Sequence, residues 1–150
     1  DDMRIRVNRG IEGNYMATFL AHIKVHEGKE KRFEIAGRDL FVATHNKEDE
    51  VVRYEYWRGE KPQTYYVLAS FKDYLGFLKH QSSSHHEDIA AELREVTQEI
   101  KIEWVDPISD SSNLVETNHQ DPTDDLSDLA KSYSETMPAH AQPWWLENRN

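Results

Sequence analysis

Among the side chains that could move protons in this sequence, two histidines stand out by their setting. His80 lies on a helical repeat that should face a sheet, where an imidazole titrating near neutral pH can accept a phenolic proton. His22 lies on an alternating strand, opposite its apolar residues, and is a second candidate base or hydrogen-bond donor. Trp57, Tyr65 and Tyr66 could line a flat aromatic pocket, with the tyrosine hydroxyls orienting a carbonyl or quinol oxygen. Arg53 could steady an anion. Each also has a plainer role: a helix-surface or dimer-contact histidine, aromatics packed in a core or interface, and an Arg53 paired across strands with Glu55 or Glu103.

His80, His85, His86, Glu87 and Asp88 form a cluster that invites a metal. The i, i+5, i+6 spacing does not set three imidazoles on one helical face, and the intervening serines suggest a bend, so no metal is expected. The absence of cysteine excludes a disulfide framework, thiol catalysis and cysteine-based metal clusters. A net charge of −10, from 28 acidic and 18 basic residues, makes nucleic acid an unfavourable partner. No apolar run approaches the roughly 18 residues that span a bilayer, and no charged-then-apolar leader opens the chain. A soluble cytoplasmic protein is expected, with no membrane partner.

The elements that must position these residues follow from hydrophobic periodicity. From Met16 to Val25 the pattern alternates, with Phe19, Ala21, Ile23 and Val25 on one face and Thr18, Leu20, His22 and Lys24 on the other, which predicts a strand. After Gly28 the period turns helical to about residue 45, with Phe33, Gly37, Leu40, Phe41 and Thr44 on one stripe. Val51–Trp57 and Thr64–Phe71 read as a hairpin whose turn draws on Gly59 and Pro62. Asp73 can cap a helix carrying Tyr74, Phe77, Leu78 and Gln81, and after a serine break a second segment carries Ile89, Ala90, Leu93, Val96 and Thr97. Ile100–Val105 alternates again, and Asp106-Pro107 stops it.

The order is β-α-β-β-α-β, an α+β ferredoxin-like plan in which helices cover one face of a four-stranded antiparallel sheet. The strands carry large side chains on both faces, so two copies packed back to back through the open sheet face form the expected homodimer.

The acidity concentrates after Pro107: residues 109–150 hold eight acids and two bases, a charge of −6. This segment is expected to be a largely irregular acidic tail, with a possible short helix at 124–136 and a Trp anchor at Pro143-Trp144-Trp145-Leu146. It could dock on its own subunit or a neighbour, over the pocket mouth, or serve only as a solubilising tail. Residues 1–15 read as an N-terminal extension, where Ile5 and Val7 could add an edge strand.

The stretch Arg53-Tyr54-Glu55-Tyr56, a short turn, Tyr65-Tyr66-Val67-Leu68-Ala69-Ser70-Phe71, and a helix reaching His80 and then His85 resembles the antibiotic biosynthesis monooxygenase family over residues 16–108. In that family's pattern an aromatic ends the third strand, a histidine follows nine positions later and another five beyond it, as Phe71, His80 and His85 do here. Members commonly end that strand with Glu-x-Trp, where this chain has Ala69-Ser70-Phe71.

The resemblance implies a dimeric α+β barrel and a cofactor-independent monooxygenase that oxidises a quinol or polycyclic phenol with molecular oxygen. It implies His80 and His22 as catalytic candidates, with Trp57, Tyr65, Tyr66, Arg53, Phe71 and His85 around the small aromatic substrate. Haem is a related alternative, because some relatives degrade it with a histidine ligand and a strand tryptophan, replaced here by Phe71. A non-oxidative isomerase of a small keto compound and a non-catalytic binding member of the same fold are the competing functions.

Overall fold

The computed structural model describes residues 15–149. Strand β1 (Ala17–Val25) buries Phe19, Ala21, Ile23 and Val25 as its alternation demands. Helix α1 (Glu30–Lys47) buries Phe33, Ala36, Gly37, Leu40 and Thr44, while Phe41, expected on the same stripe, is 38% exposed. A Cβ on Gly37 would lie 3.0 Å from the ring of Tyr56, so glycine at this position lets the helix lie against that ring.

Strands β2 (Val51–Arg58) and β3 (Thr64–Phe71) pair as the expected hairpin. The left-handed residue of its turn is Gln63, with φ of 67°. That conformation is held to the end of β1, because Gln63 Nε2 donates to Val25 O and Val25 N donates to Gln63 O, both at 2.8 Å. Gly59 serves a different need, since a Cβ there would lie 2.6 Å from Thr64 Oγ1.

Asp73 caps helix α2 (Tyr74–Gln81) by accepting from Gly76 N at 2.7 Å, and Ser83 caps helix α3 (Ser84–Val96) by accepting from His86 N. Strand β4 (Thr97–Trp104) starts at once, earlier than its alternation suggests, because a register shift in β1 pairs Val25 with Thr97.

The sheet order is β2-β3-β1-β4, antiparallel throughout, which is the α+β ferredoxin-like topology. The helices lie on one face. The other presents Leu20, His22, Arg53, Glu55, Trp57, Tyr66 and Leu68, as the registers His22↔Tyr66, Trp57↔Tyr66 and Leu20↔Leu68 require.

Past β4 the chain is irregular but packed onto the domain. Met16 and Thr117 form a parallel bridge, Thr117 Oγ1 donates to Val105 O at 2.6 Å, and Thr18 N donates to Thr117 Oγ1. Helix α4 (Asp128–Thr136) buries Ala130 against the core, and helix α5 (Pro143–Asn148) buries Trp145 while leaving Trp144 and Leu146 exposed. Arg149 then forks onto both Asp106 oxygens, at 3.0 and 2.7 Å, and also donates to Thr117 O. The expected N-terminal extension lies outside the described residues apart from Tyr15.

Candidate active site

Helix α2 is short and buried on most of its faces, and His80 is 1% exposed within it. An imidazole so deep requires a partner, and it finds one on a different element. Glu48 is the residue that ends α1, its N–H bonded to Thr44 O and its backbone turned extended towards β2. That turn carries its carboxylate inward, where His80 Nδ1 lies 2.8 Å from Oε2 and His85 Nε2 lies 2.5 Å from the same oxygen. Ser83 supports the arrangement, with Oγ 3.1 Å from His85 Nε2 and donating to His80 O.

Burial works to raise the Glu48 pKa, but the hydrogen bonds and charges of His80 and His85 outweigh it and hold the carboxyl below its ordinary value. An ionised Glu48 can only accept, so both imidazoles donate to it. The proton of a neutral His80 then sits on Nδ1, and Nε2 is left as the acceptor.

His80 borders a cavity of about 340 Å³ between the sheet and the helices, at the small end of the range that holds small-molecule ligands. Phe19 and Ile102 from the sheet and Phe33 from α1 give it apolar walls, and Tyr54 and Tyr56 of β2 face it. The two tyrosine hydroxyls lie 2.9 Å apart. Burial is the main cause that pushes Tyr54 well above its ordinary value and Tyr56 up to about 12, so both remain neutral donors. His86 also lines the cavity, and its Nδ1 is buried without a hydrogen-bond partner. Burial, followed by the neighbouring His80 charge, brings its pKa down to about 4, so it is neutral at physiological pH.

The residues singled out from sequence divide into three places. His80, Phe71 and His85 come together, with the Phe71 and His80 rings 5.1 Å apart. His22, Tyr66, Trp57 and Arg53 lie across the sheet on its open face. There His22 pairs with Glu103 at 3.2 Å, Trp57 is 57% exposed, and Arg53 is spent on Glu55 rather than Glu103. Tyr65 lies on the helix-covered face, but its hydroxyl donates to Glu34 at 2.7 Å and it borders a separate open groove. Alternation assigns each strand residue to a face, and the pocket grouping drawn from sequence took Trp57 and Tyr66 from one face and His80 from the other.

A family model for antibiotic biosynthesis monooxygenase matches residues 16–92. The chain belongs to that family. No curated protein matches its sequence. Among solved structures, a candidate antibiotic biosynthesis monooxygenase of Caulobacter crescentus superposes with a TM-score of 0.61 at 19% identity, over 68% of this chain and 98% of its own. A conserved protein of Methanosarcina mazei gives 0.57 at 22% identity, over 64% and 96%. A third, a candidate antibiotic biosynthesis monooxygenase of Nitrosomonas europaea, gives 0.59 at 13%, over 66% and 96%. At these identities the likeness establishes the fold.

Within this antibiotic biosynthesis monooxygenase fold, Glu48 is the site residue that no motif reveals, while Tyr54 and Tyr56 stand in the resembling stretch and His86 in the histidine cluster without spacing assigning them to the cavity. Glu48 stands in the polar run Lys47-Glu48-Asp49-Glu50, where nothing local separates one acid from the next. Glu48, His80 and His85 are also the residues that could hold a divalent cation, since one ligand atom from each lies within 4.8 Å of the others. Spacing within the histidine segment does not bring three imidazoles together, and the third ligand here is instead a carboxylate arriving from α1. Among the described residues no helix is long and apolar enough to cross a membrane.

Proposed function

We propose that the protein is a cofactor-independent monooxygenase that oxidises a small phenol or quinol with molecular oxygen. The observation that carries this reading is a histidine at the wall of a largely apolar cavity, with its far nitrogen fixed by a buried carboxylate. His80 Nε2 takes the phenolic proton, and Glu48 stabilises the imidazolium that results. The phenolate is electron-rich enough to reduce oxygen. Oxygen adds to a ring carbon as a hydroperoxide, which loses water to leave a carbonyl; the substrate supplies both electrons, so one oxygen atom enters product and one leaves as water. The Tyr54 and Tyr56 hydroxyls, kept neutral by burial, are donors suited to the oxyanion.

No cofactor enters this scheme. The test is oxygen uptake with a panel of naphthols and dihydroxynaphthalenes, before and after dialysis against a chelator. Uptake with one oxygen consumed per quinone formed, unaffected by chelation and lowered about 10²-fold or more in His80→Ala, is the expected result. Oxygen-independent turnover would instead favour an isomerase.

We further propose that the open sheet face joins two copies in a cytoplasmic homodimer. Supporting this are Trp57 and Tyr66, large apolar rings left 57% and 38% exposed beside half-buried Leu20 and Leu68. Trp57→Asp should then lower the mass measured by light scattering from dimer to monomer; a wild-type monomer would overturn the assignment.

A further inference from the structure

We infer that Tyr133 and Met137, on a segment outside the region matched by the family model, form the wall of the cavity that sets the size of substrate it admits. This inference rests on reading the cavity as the substrate site. Both residues line it, although they lie more than 50 positions beyond His80. The family model stops at residue 92, and the Caulobacter crescentus chain is matched over 98% of its length while about a third of this chain finds no counterpart in it.

The two side chains are seated rather than merely near. Tyr133 donates to Glu87 Oε1 at 2.9 Å, which ties α4 to α3. Met137 is held at two points, because Tyr74 donates to its carbonyl at 2.8 Å and Gln81 Nε2 approaches its sulfur at 3.8 Å. Tyr74 and Gln81 belong to α2, the helix that carries His80, so the wall and the base are positioned by one element. Serine capping starts α4 cleanly, with Ala130 N donating to Ser127 Oγ, and buried Ala130 lets the helix approach the core closely.

With Tyr133 and Met137 walling this side, a cavity of about 340 Å³ suits a compact fused-ring phenol better than a broad polycycle. Arg94 also lines the cavity, and the Tyr133 hydroxyl is already committed to Glu87.

The test compares 1-naphthol and 1-hydroxypyrene, two fused rings against four, by calorimetric titration of the full chain. Tyr133→Ala and Met137→Ala open the wall, while Tyr133→Phe and Met137→Leu keep its volume. The wild type should favour 1-naphthol by about tenfold or more, and either alanine variant should remove that preference by raising affinity for 1-hydroxypyrene. The conservative variants should keep the wild-type ratio. A thermal melt of each variant shows which remain folded, and Met137→Ala decides the matter if Tyr133→Ala does not fold. An unchanged ratio in the alanine variants, or a wild type that takes both phenols equally, overturns the inference and leaves the proposed chemistry standing. No binding of either phenol to any form overturns both. The expected shift in ratio without any oxygen uptake sinks the monooxygenase reading alone.

Discussion

One oxygen of Glu48 serves two imidazoles, and this concentrates the site's electrostatics on a single atom. Replacing Glu48 by Gln keeps the shape but removes the charge that stabilises a protonated His80. The expected result is a loss of turnover of about 10²-fold or more with little change in substrate affinity, read from kcat against KM. The same residues make the fold acid-sensitive. Glu48 is held below its ordinary pKa, so its contribution is present above the unfolded carboxyl value and is lost as pH falls through the folded one. His86 moves from 6.5 to about 4, so between those values the unfolded chain binds a proton that the folded chain refuses, and stability falls as pH drops. The His86 contribution alone is about 3 kcal/mol across that window. Denaturant midpoints measured from pH 7 to 4 should decline steadily, and His86→Phe should flatten the upper part of the decline.

The connection from α1 to β2 does two jobs within a few residues, delivering Glu48 and then pairing Val51 with Phe71. Its position depends on how closely α1 lies on the sheet. Gly37→Val would press branched carbons into the Tyr56 ring and is expected to cost about 1–3 kcal/mol, measured by chemical denaturation, while reducing cavity volume. Most of this layer was legible in the sequence. The strand alternation, the α1 stripe, the Asp73 cap and the β-α-β-β-α-β order are local patterns, and each residue states its own role within a few neighbours. The site was legible only in part. His80 and His85 declared themselves by spacing, but Glu48 becomes a partner only when the end of α1 meets α2, a contact with no local signature. Trp57 and Tyr66 have the composition of pocket residues, and the register alone sends them to the opposite face.

At the scale of the whole molecule, the acidic segment after Pro107 is part of the packed structure and not a loose appendage. Its charge says little about the cavity, because the segment meets the domain through Ala130, Tyr133, Met137, Ala139 and Trp145. Its far end is fixed by Arg149 on Asp106, whose side chain is only 7% exposed. Arg149→Ala would strand that carboxylate in a dry setting, and a destabilisation of about 3 kcal/mol is expected by thermal or denaturant unfolding, well above that of a surface ion pair.

The strand-like bridge between Met16 and Thr117 has a kinetic consequence. Thr18 and Thr117 are 99 residues apart in sequence, so their bond closes one of the longest loops in the chain. Loop closure of that span is entropically unfavourable until the intervening sheet has formed. The expected order is the four strands and α1 to α3 first and α4 last, which pulsed hydrogen exchange during refolding would check. On that order, His80 and Glu48 join while the chamber beside them is still open to water. Selectivity for substrate size would be the last property such a molecule acquires.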